Sequence, residues 1–285
     1  MTGSDFARIV EISEAAAYAR LIAGAPAALS ADYGLAVHRF GSARALVAPG
    51  AAGSLMLNRV IGVGLDAPAS DEELDAIKAL YRDCGVDTHA VELSPAALPT
   101  DLSQRLMRRG YVPFKRTVMM VRDCQPIGDA CAAAVDVRHA GAAQSAVFSA
   151  LCCEAFQLGQ PFSQLLEASF DDAGWHHWLA WNGNAPVAAA MACIDGDVAW
   201  IGWVCTLASH RGRGAQKALA ATQLRELHRA GARFVTLEAA AGTRRRPGTS
   251  LSNYQRLGWT TVNERPVYLR RLLPGAGQSA VARVE

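Results

Sequence analysis

Apolar positions along the chain alternate between spacings near 3.6 and near 2, the signatures of helices and strands. Residues 5–23 form a helical pattern carrying Phe6, Ile9, Ile12, Ala16 and Leu21. Gly34 to Val47 reads as strand material, followed by a turn over 48–53 and a second strand region from Leu55 to Gly64. Ser70, with Glu73 three residues on, opens a helix over 71–84, and Gly85 closes it. His89 to Leu93 is a strand, Thr100 to Arg109 a helix stopped by Gly110, and Tyr111 to Val121 a strand interrupted by Pro113.

Periodicity fades over 122–130, which carries Pro126 and Gly128, so the chain divides there. The division gives a first domain over 1–125, a second over 126–273, and a small, polar tail over 274–285 expected to fray. The second half opens with a strand at 134–138, a helix over 140–157 and a short helix or loop over 162–171. Strands then span 175–181, 186–194 and 198–206, joined by Asn182-Gly183-Asn184 and Asp195-Gly196-Asp197, the chemistry of tight antiparallel hairpins. A helix over 214–230, a strand over 234–238, a helix over 250–257 and a strand over 259–269 complete it. Arg108-Arg109-Gly110-Tyr111 and Arg256-Leu257-Gly258-Trp259 close the two halves alike, a weak sign of two related units.

Composition narrows the function. Of 285 residues 51% are hydrophobic and 19% charged, which excludes a disordered chain. The 28 Lys+Arg against 26 Asp+Glu leave +2, too little for a nucleic-acid partner. No apolar run reaches the ~20 residues of a membrane span, and the first residues carry no secretory pattern. The seven cysteines are odd in number, lack C-x-x-C spacing and include the adjacent Cys152-Cys153. We therefore expect neither a disulfide framework nor a metal site, and a reducing cytoplasm as location. His176-His177 does not change this, because neighbours on a strand face opposite ways.

The stretch from Gly202 to Leu219 carries the chemistry. A strand runs into Arg211-Gly212-Arg213-Gly214 and the chain turns at once into a helix. Glycines let backbone approach a ligand, the unpaired N–H groups of a first helical turn attract an anion, and two arginines add charge. A diphosphate fits this loop. A phosphate loop of the Gly-Lys-Ser/Thr kind is excluded, because Lys217 follows Gln216. A dinucleotide fold is disfavoured by the hairpins before the loop. Gly62-Val63-Gly64 is a structural turn, since Asp71, Glu72 and Glu73 in the next helix would repel phosphate.

Arg211-Gly212-Arg213-Gly214 resembles the first four positions of the Arg/Gln-x-x-Gly-x-Gly/Ala signature of the GNAT superfamily of acyl-CoA-dependent N-acyltransferases. Gln216 stands where Gly or Ala is usual. Asn253-Tyr254-Gln255-Arg256-Leu257-Gly258-Trp259 is similar to the late helix of that family, and the likeness spans about 133–270. The first half, around Leu57-Asn58-Arg59, Ser94-Pro95 and Arg109-Gly110, resembles the degenerate half of two-domain members and lacks the glycine loop.

The resemblance implies tandem α/β domains of α+β type, with a mixed, mostly antiparallel sheet flanked by helices. It implies an acetyl-CoA-dependent N-acetyltransferase working by direct attack in a ternary complex, with a non-catalytic acyl-CoA-binding protein as the alternative. Strands 198–206 and 234–238 are then parallel, the first bulging and splaying from the second around pantetheine, with Val204, Cys205 and Thr206 offering backbone N–H groups. Arg211, Gly212, Arg213, Gly214, Ala215 and Gln216 hold the diphosphate, and Asn253 the cofactor arm, with helix capping as its alternative. Tyr254 is the acid for the leaving thiolate, since a phenol of pKa ~10 stays protonated at neutral pH; core packing is its alternative. Glu238 is the first candidate base, with a structural carboxylate as its alternative and Glu154, Asp171, Asp172 or a water chain behind it. Trp203 is a candidate wall of the acceptor pocket, and Arg244-Arg245-Arg246 a solvated loop or an anion clamp. The partner is an amine, on a small molecule or a protein, and a homodimer stays open.

Overall fold

The computed structural model describes residues 3–128, 135–243 and 246–271. The first half contains α1 (Gly3–Ala23), α2 (Ala27–Tyr33), β1 (Ala36–Phe40), β2 (Ala43–Val47), β3 (Arg59–Ile61), α3 (Asp71–Asp83), β4 (Thr88–Glu92), α4 (Leu102–Arg108) and β5 (Val112–Asp123). The second contains β6 (Asp136–His139), α5 (Ser145–Phe156), α6 (Phe162–Ala168), β7 (Trp175–Asn182), β8 (Ala185–Asp195), β9 (Val198–Thr206), α7 (Ala215–Arg229) and β10 (Phe234–Ala240). The two-residue strands β11 (Gly242–Thr243) and β12 (Arg246–Pro247), then α8 (Thr249–Arg256) and β13 (Thr260–Arg271), follow.

Local chemistry explains most boundaries. The Ser70 hydroxyl accepts from the Glu73 N–H at 3.1 Å and starts α3. The 34–47 stretch is two strands and not one, because Gly41 at φ 51° allows a reversal. Helix α2 has no apolar period; Pro26 precedes it and Gly34 at φ 60° ends it. The expected strand over 55–64 shrinks to β3, since 54–57 is wound into turns by hydrogen bonds back to Ala51 and Ser54.

Eleven strands make one sheet in the order β1-β2-β3-β4-β13-β5-β10-β9-β8-β7-β6. Among the described residues, only β3–β4 and β9–β10 run parallel. The sheet is mixed and mostly antiparallel, and helices flank it, as expected from the sequence. Each half runs strand, helix, parallel strand, helix, strand: β3-α3-β4-α4-β5 and β9-α7-β10-α8-β13. Gly110 and Gly258, at φ 86° and 88°, make the same exit from the last helix of each half. The final strands then exchange places, β13 pairing with β4 and β5 with β10.

Helices α1, α5 and α6 cover one face of the sheet in the second half, over Leu179, Met191 and Trp200. Helices α7 and α8 cover the other, over Trp178, Ile201, Val235 and Leu237. All six tryptophans pack into these two layers. Among the described residues, no helix is long and apolar enough to cross a membrane.

Candidate functional site

Gly212 and Gly214 adopt φ values of 77° and 84°, the left-handed region open to glycine. Gly214 stands at the N-terminus of α7 without a side-chain cap, and Ala218 N–H makes the first bond back, to the Gly214 carbonyl. The N–H groups of the intervening turn therefore point outward without intrahelical partners. They face a cleft of about 700 Å³ lined by the ends of α5 and β9, the 210–217 loop and α8. Arg211, Lys217 and Arg256 line it, and among the described residues no carboxylate does. With the positive end of the α7 dipole, these side chains give the cleft a positive field, which suits an anion.

The strands beside it part. Pairing between β9 and β10 ends at Ile201–Leu237. The β8–β9 register slips between the Ala189–Cys205 and Met191–Gly202 pairs, so β9 carries one extra residue. Trp203, at φ 54°, absorbs it and packs on Phe156 and Phe162, ring centroids 5.7 Å away in both cases. The bulge turns Trp203 onto the same face as Trp200. Leu207 N–H bonds Val187 on the β8 side. Alternation along the strand then directs Cys205 N–H to β8, and Val204 and Thr206 N–H into the gap. The Thr206 carbonyl, on the same side, accepts from Arg211 Nε at 3.3 Å.

Gln216 holds α8 against α7. Its Nε2 donates to Ser250 Oγ at 3.1 Å, and its Oε1 accepts from Asn253 Nδ2 at 2.6 Å. The amide absent from the usual signature thus serves as a strut. Asn253 Oδ1 accepts from Arg256 at 3.0 Å. Tyr254 is buried against Trp259 at 5.2 Å, and burial pushes its phenol up to about 12.

The structure brings Val204, Cys205, Thr206, Arg211, Gly212, Gly214, Ala215, Gln216 and Asn253 to one cleft. Arg213 is exposed beside it, and Tyr254 lies behind its wall. Glu238 is one residue beyond the last β9–β10 pair, on the α1 face of the sheet. There it joins a cluster that sequence reading missed. Arg265 NH1 meets Glu11 at 2.8 Å and Glu14 at 2.7 Å, and its NH2 meets Glu92 at 2.6 Å and Glu238 at 2.5 Å. Arg59 reaches Glu92 at 2.7 Å and lies over the Tyr18 ring at 4.2 Å. Ligand atoms of Glu14, Glu92 and Glu238 fall within 4.8 Å of one another, but two guanidiniums already serve as their counter-ions. The available signal was Glu11, Glu14 and Tyr18 spaced three and four apart on one helix, among apolar neighbours such as Val10, Ile12 and Ala15.

Of the other candidates, Glu154 and Asp171 are exposed, and Asp172 is held by Arg20 at 2.5 Å. His177 is buried, stacked on Phe170 and bonded to Ser169 at 2.8 Å, while His176 stacks on Trp178. The Arg244–Arg246 side chains lie outside the described residues.

Comparison with known proteins agrees with this geometry. Residues 195–262 match the family described as acetyltransferase (GNAT) domain. A GCN5-related N-acetyltransferase from Kribbella flavida superposes with a TM-score of 0.63 at 20% identity, covering 94% of this chain and 96% of that one. A tandem GNAT protein from the clavulanic acid biosynthesis pathway gives 0.60 at 15% identity, covering 95% of both chains. A GCN5-related N-acetyltransferase from Sphaerobacter thermophilus gives 0.57 at 18% identity, covering 74% of this chain and 69% of that one. The protein has the fold of these tandem GNAT structures, and residues 195–262 match the acetyltransferase (GNAT) domain family. No curated protein matches the sequence.

Proposed function

We propose that the protein moves the acetyl group of acetyl-CoA onto an amine by direct attack in a ternary complex. One observation carries the reading: the unpaired first turn of α7 and residues 204–206 of β9, past the last β9–β10 pair, line a single cleft together with Arg211, Lys217 and Arg256. In this reading Arg211, Arg213 and the N–H groups from Gly212 to Gln216 hold the diphosphate. Val204 and Thr206 N–H receive pantetheine and the thioester oxygen, whose charge develops as the amine attacks. Asn253 steadies the arm, Tyr254 gives its proton to the leaving thiolate, and Glu238 takes one from the acceptor.

The second half, 126–273, is the catalytic unit in this reading, and the first, 1–125, supports it. The acceptor is an amine of a small molecule or a protein, and the protein works in the cytoplasm. The burial of Tyr254 favours a second reading, a protein that binds acyl-CoA without turnover. Calorimetric titration with acetyl-CoA, run beside transfer of labelled acetyl to a panel of amines, separates the two. Binding with transfer supports the enzyme, binding without transfer supports the second reading, and absence of binding removes both.

A further inference from the structure

The buried cluster on the α1 face holds four carboxylates, Glu11, Glu14, Glu92 and Glu238, against two guanidiniums, Arg59 and Arg265. Fully ionised, it carries two surplus negative charges in a site shielded from water, an arrangement the protein relieves by keeping protons. Glu11 and Arg265 are 0% exposed as side chains, Glu14 1% and Glu92 4%; Glu238 keeps 26%. Glu238 is thus the one carboxylate of the cluster with appreciable contact with solvent, and it stands where β9 and β10 separate. The other members come from α1, β3, β4 and β13. Helix α1 is pinned to β10 two residues before Glu238, by Ser13 Oγ and Thr236 Oγ1 at 2.8 Å.

We propose that Glu14 is a positioning residue that, with Glu92, sets the protonation of Glu238, so that α1 and the first half control removal of the acceptor's proton. The proposal rests on the acetyl-transfer reading and gives the first half a part in it. The groups facing Glu238 are Glu14 and Tyr18 from α1, Arg59 from β3, Glu92 from β4 and Arg265 from β13, and Glu11 of α1 shares Arg265 with it. Burial first, and Glu14 next, push Glu238 up to about 8, and burial pushes Glu11 up to about 7. The step balances. The acceptor ammonium gives one proton to the Glu238 carboxylate, and the freed amine forms the C–N bond as the C–S bond breaks. Tyr254 protonates the leaving thiolate and recovers the second nitrogen proton. Glu238 returns its proton to solvent through its exposed edge.

The test is carboxyl-carbon NMR of protein labelled with ¹³C-glutamate, read beside the pH profile of kcat/KM. In the unmodified protein the Glu238 signal titrates near pH 8, and Glu238→Gln identifies it. Glu14→Gln removes a like charge, so the Glu238 titration and the rising limb of the profile both move to lower pH by about one unit. Glu92→Gln moves both the same way and serves if Glu14→Gln does not fold. A Glu238 signal titrating near the ordinary 4.5, or one unmoved by both variants, overturns the proposal. A signal that moves in a protein transferring acetyl to no amine supports the coupling and overturns only the acetyl-transfer reading.

Discussion

Asn253 Nδ2 donates to Gln216 Oε1 at 2.6 Å, and this bond joins the first turn of α7 to the middle of α8. Gln216 also holds Ser250, so one amide ties the wall of the cleft at two points. Gln216→Ala removes the strut and leaves Asn253 Nδ2 half-buried without this partner. We expect a loss of about 1–2 kcal/mol in stability, read by urea denaturation, and a several-fold weaker acetyl-CoA affinity. Unchanged stability would mean that water replaces the amide without cost.

Gly214→Asp adds a side chain at φ 84° and a carboxylate at the anion end of α7. Left-handed backbone costs a non-glycine residue about 1–2 kcal/mol. Acetyl-CoA affinity should fall at least about tenfold, or ~1.4 kcal/mol, in calorimetry, with the fold retained by circular dichroism. Intact affinity in a folded variant would remove the diphosphate assignment.

Tyr254→Phe keeps the contact with Trp259 and deletes the phenol hydroxyl. Steady-state kinetics should give a lower kcat with little change in coenzyme Kd. Equal kcat in both proteins would assign Tyr254 to packing.

Stability should peak between acid and alkaline losses. Glu238 and Glu11 are raised, to about 8 and about 7, from 4.5. Their protonated forms suit the folded state, so their contribution is full below pH 4.5 and disappears as pH rises through 7 to 8. His89 and His177 are lowered by burial from 6.5 to about 3, so their contribution is full above 6.5 and fades as pH falls toward 3. Thermal melts across pH should show both flanks, and Glu238→Gln should flatten the alkaline one.

The side chain of Trp200 lies across Gly202, where an added Cβ would collide with the indole. Gly202→Ala should cost about 1–3 kcal/mol by displacing a packed ring, and disturb the mouth of the β9–β10 gap. A variant with wild-type melting temperature would mean that Trp200 moves freely.

The features legible in the sequence are those written in neighbouring residues. The two Asn/Asp-Gly hairpins, the Ser70 cap and the Arg211–Gly214 turn into α7 depend on backbone preferences of a few positions. The exchange of β5 and β13 depends on pairing between residues far apart in the chain, such as Glu238 with Met119 and Val267 with Glu92, which no local pattern encodes. The bulge in β9 is implied by the family resemblance alone; no local pattern marks it at Trp203, because a bulky residue takes the conformation that glycine usually marks. Glu11, Glu14 and Arg265 carry no local signal of pairing, since Arg265 lies 254 and 251 residues along the chain from Glu11 and Glu14 and only the sheet brings them together. The Arg211–Gly214 loop was found because its chemistry is carried by backbone and contiguous, whereas the acid cluster is assembled from five elements.

The most direct measurement is a crystal structure of the protein soaked in acetyl-CoA. The account predicts the diphosphate within hydrogen-bond reach of the N–H groups of Gly212 to Gln216, with pantetheine running between β9 and β10 past Val204 and Thr206. Coenzyme bound elsewhere, or no coenzyme at saturating concentration, would contradict it.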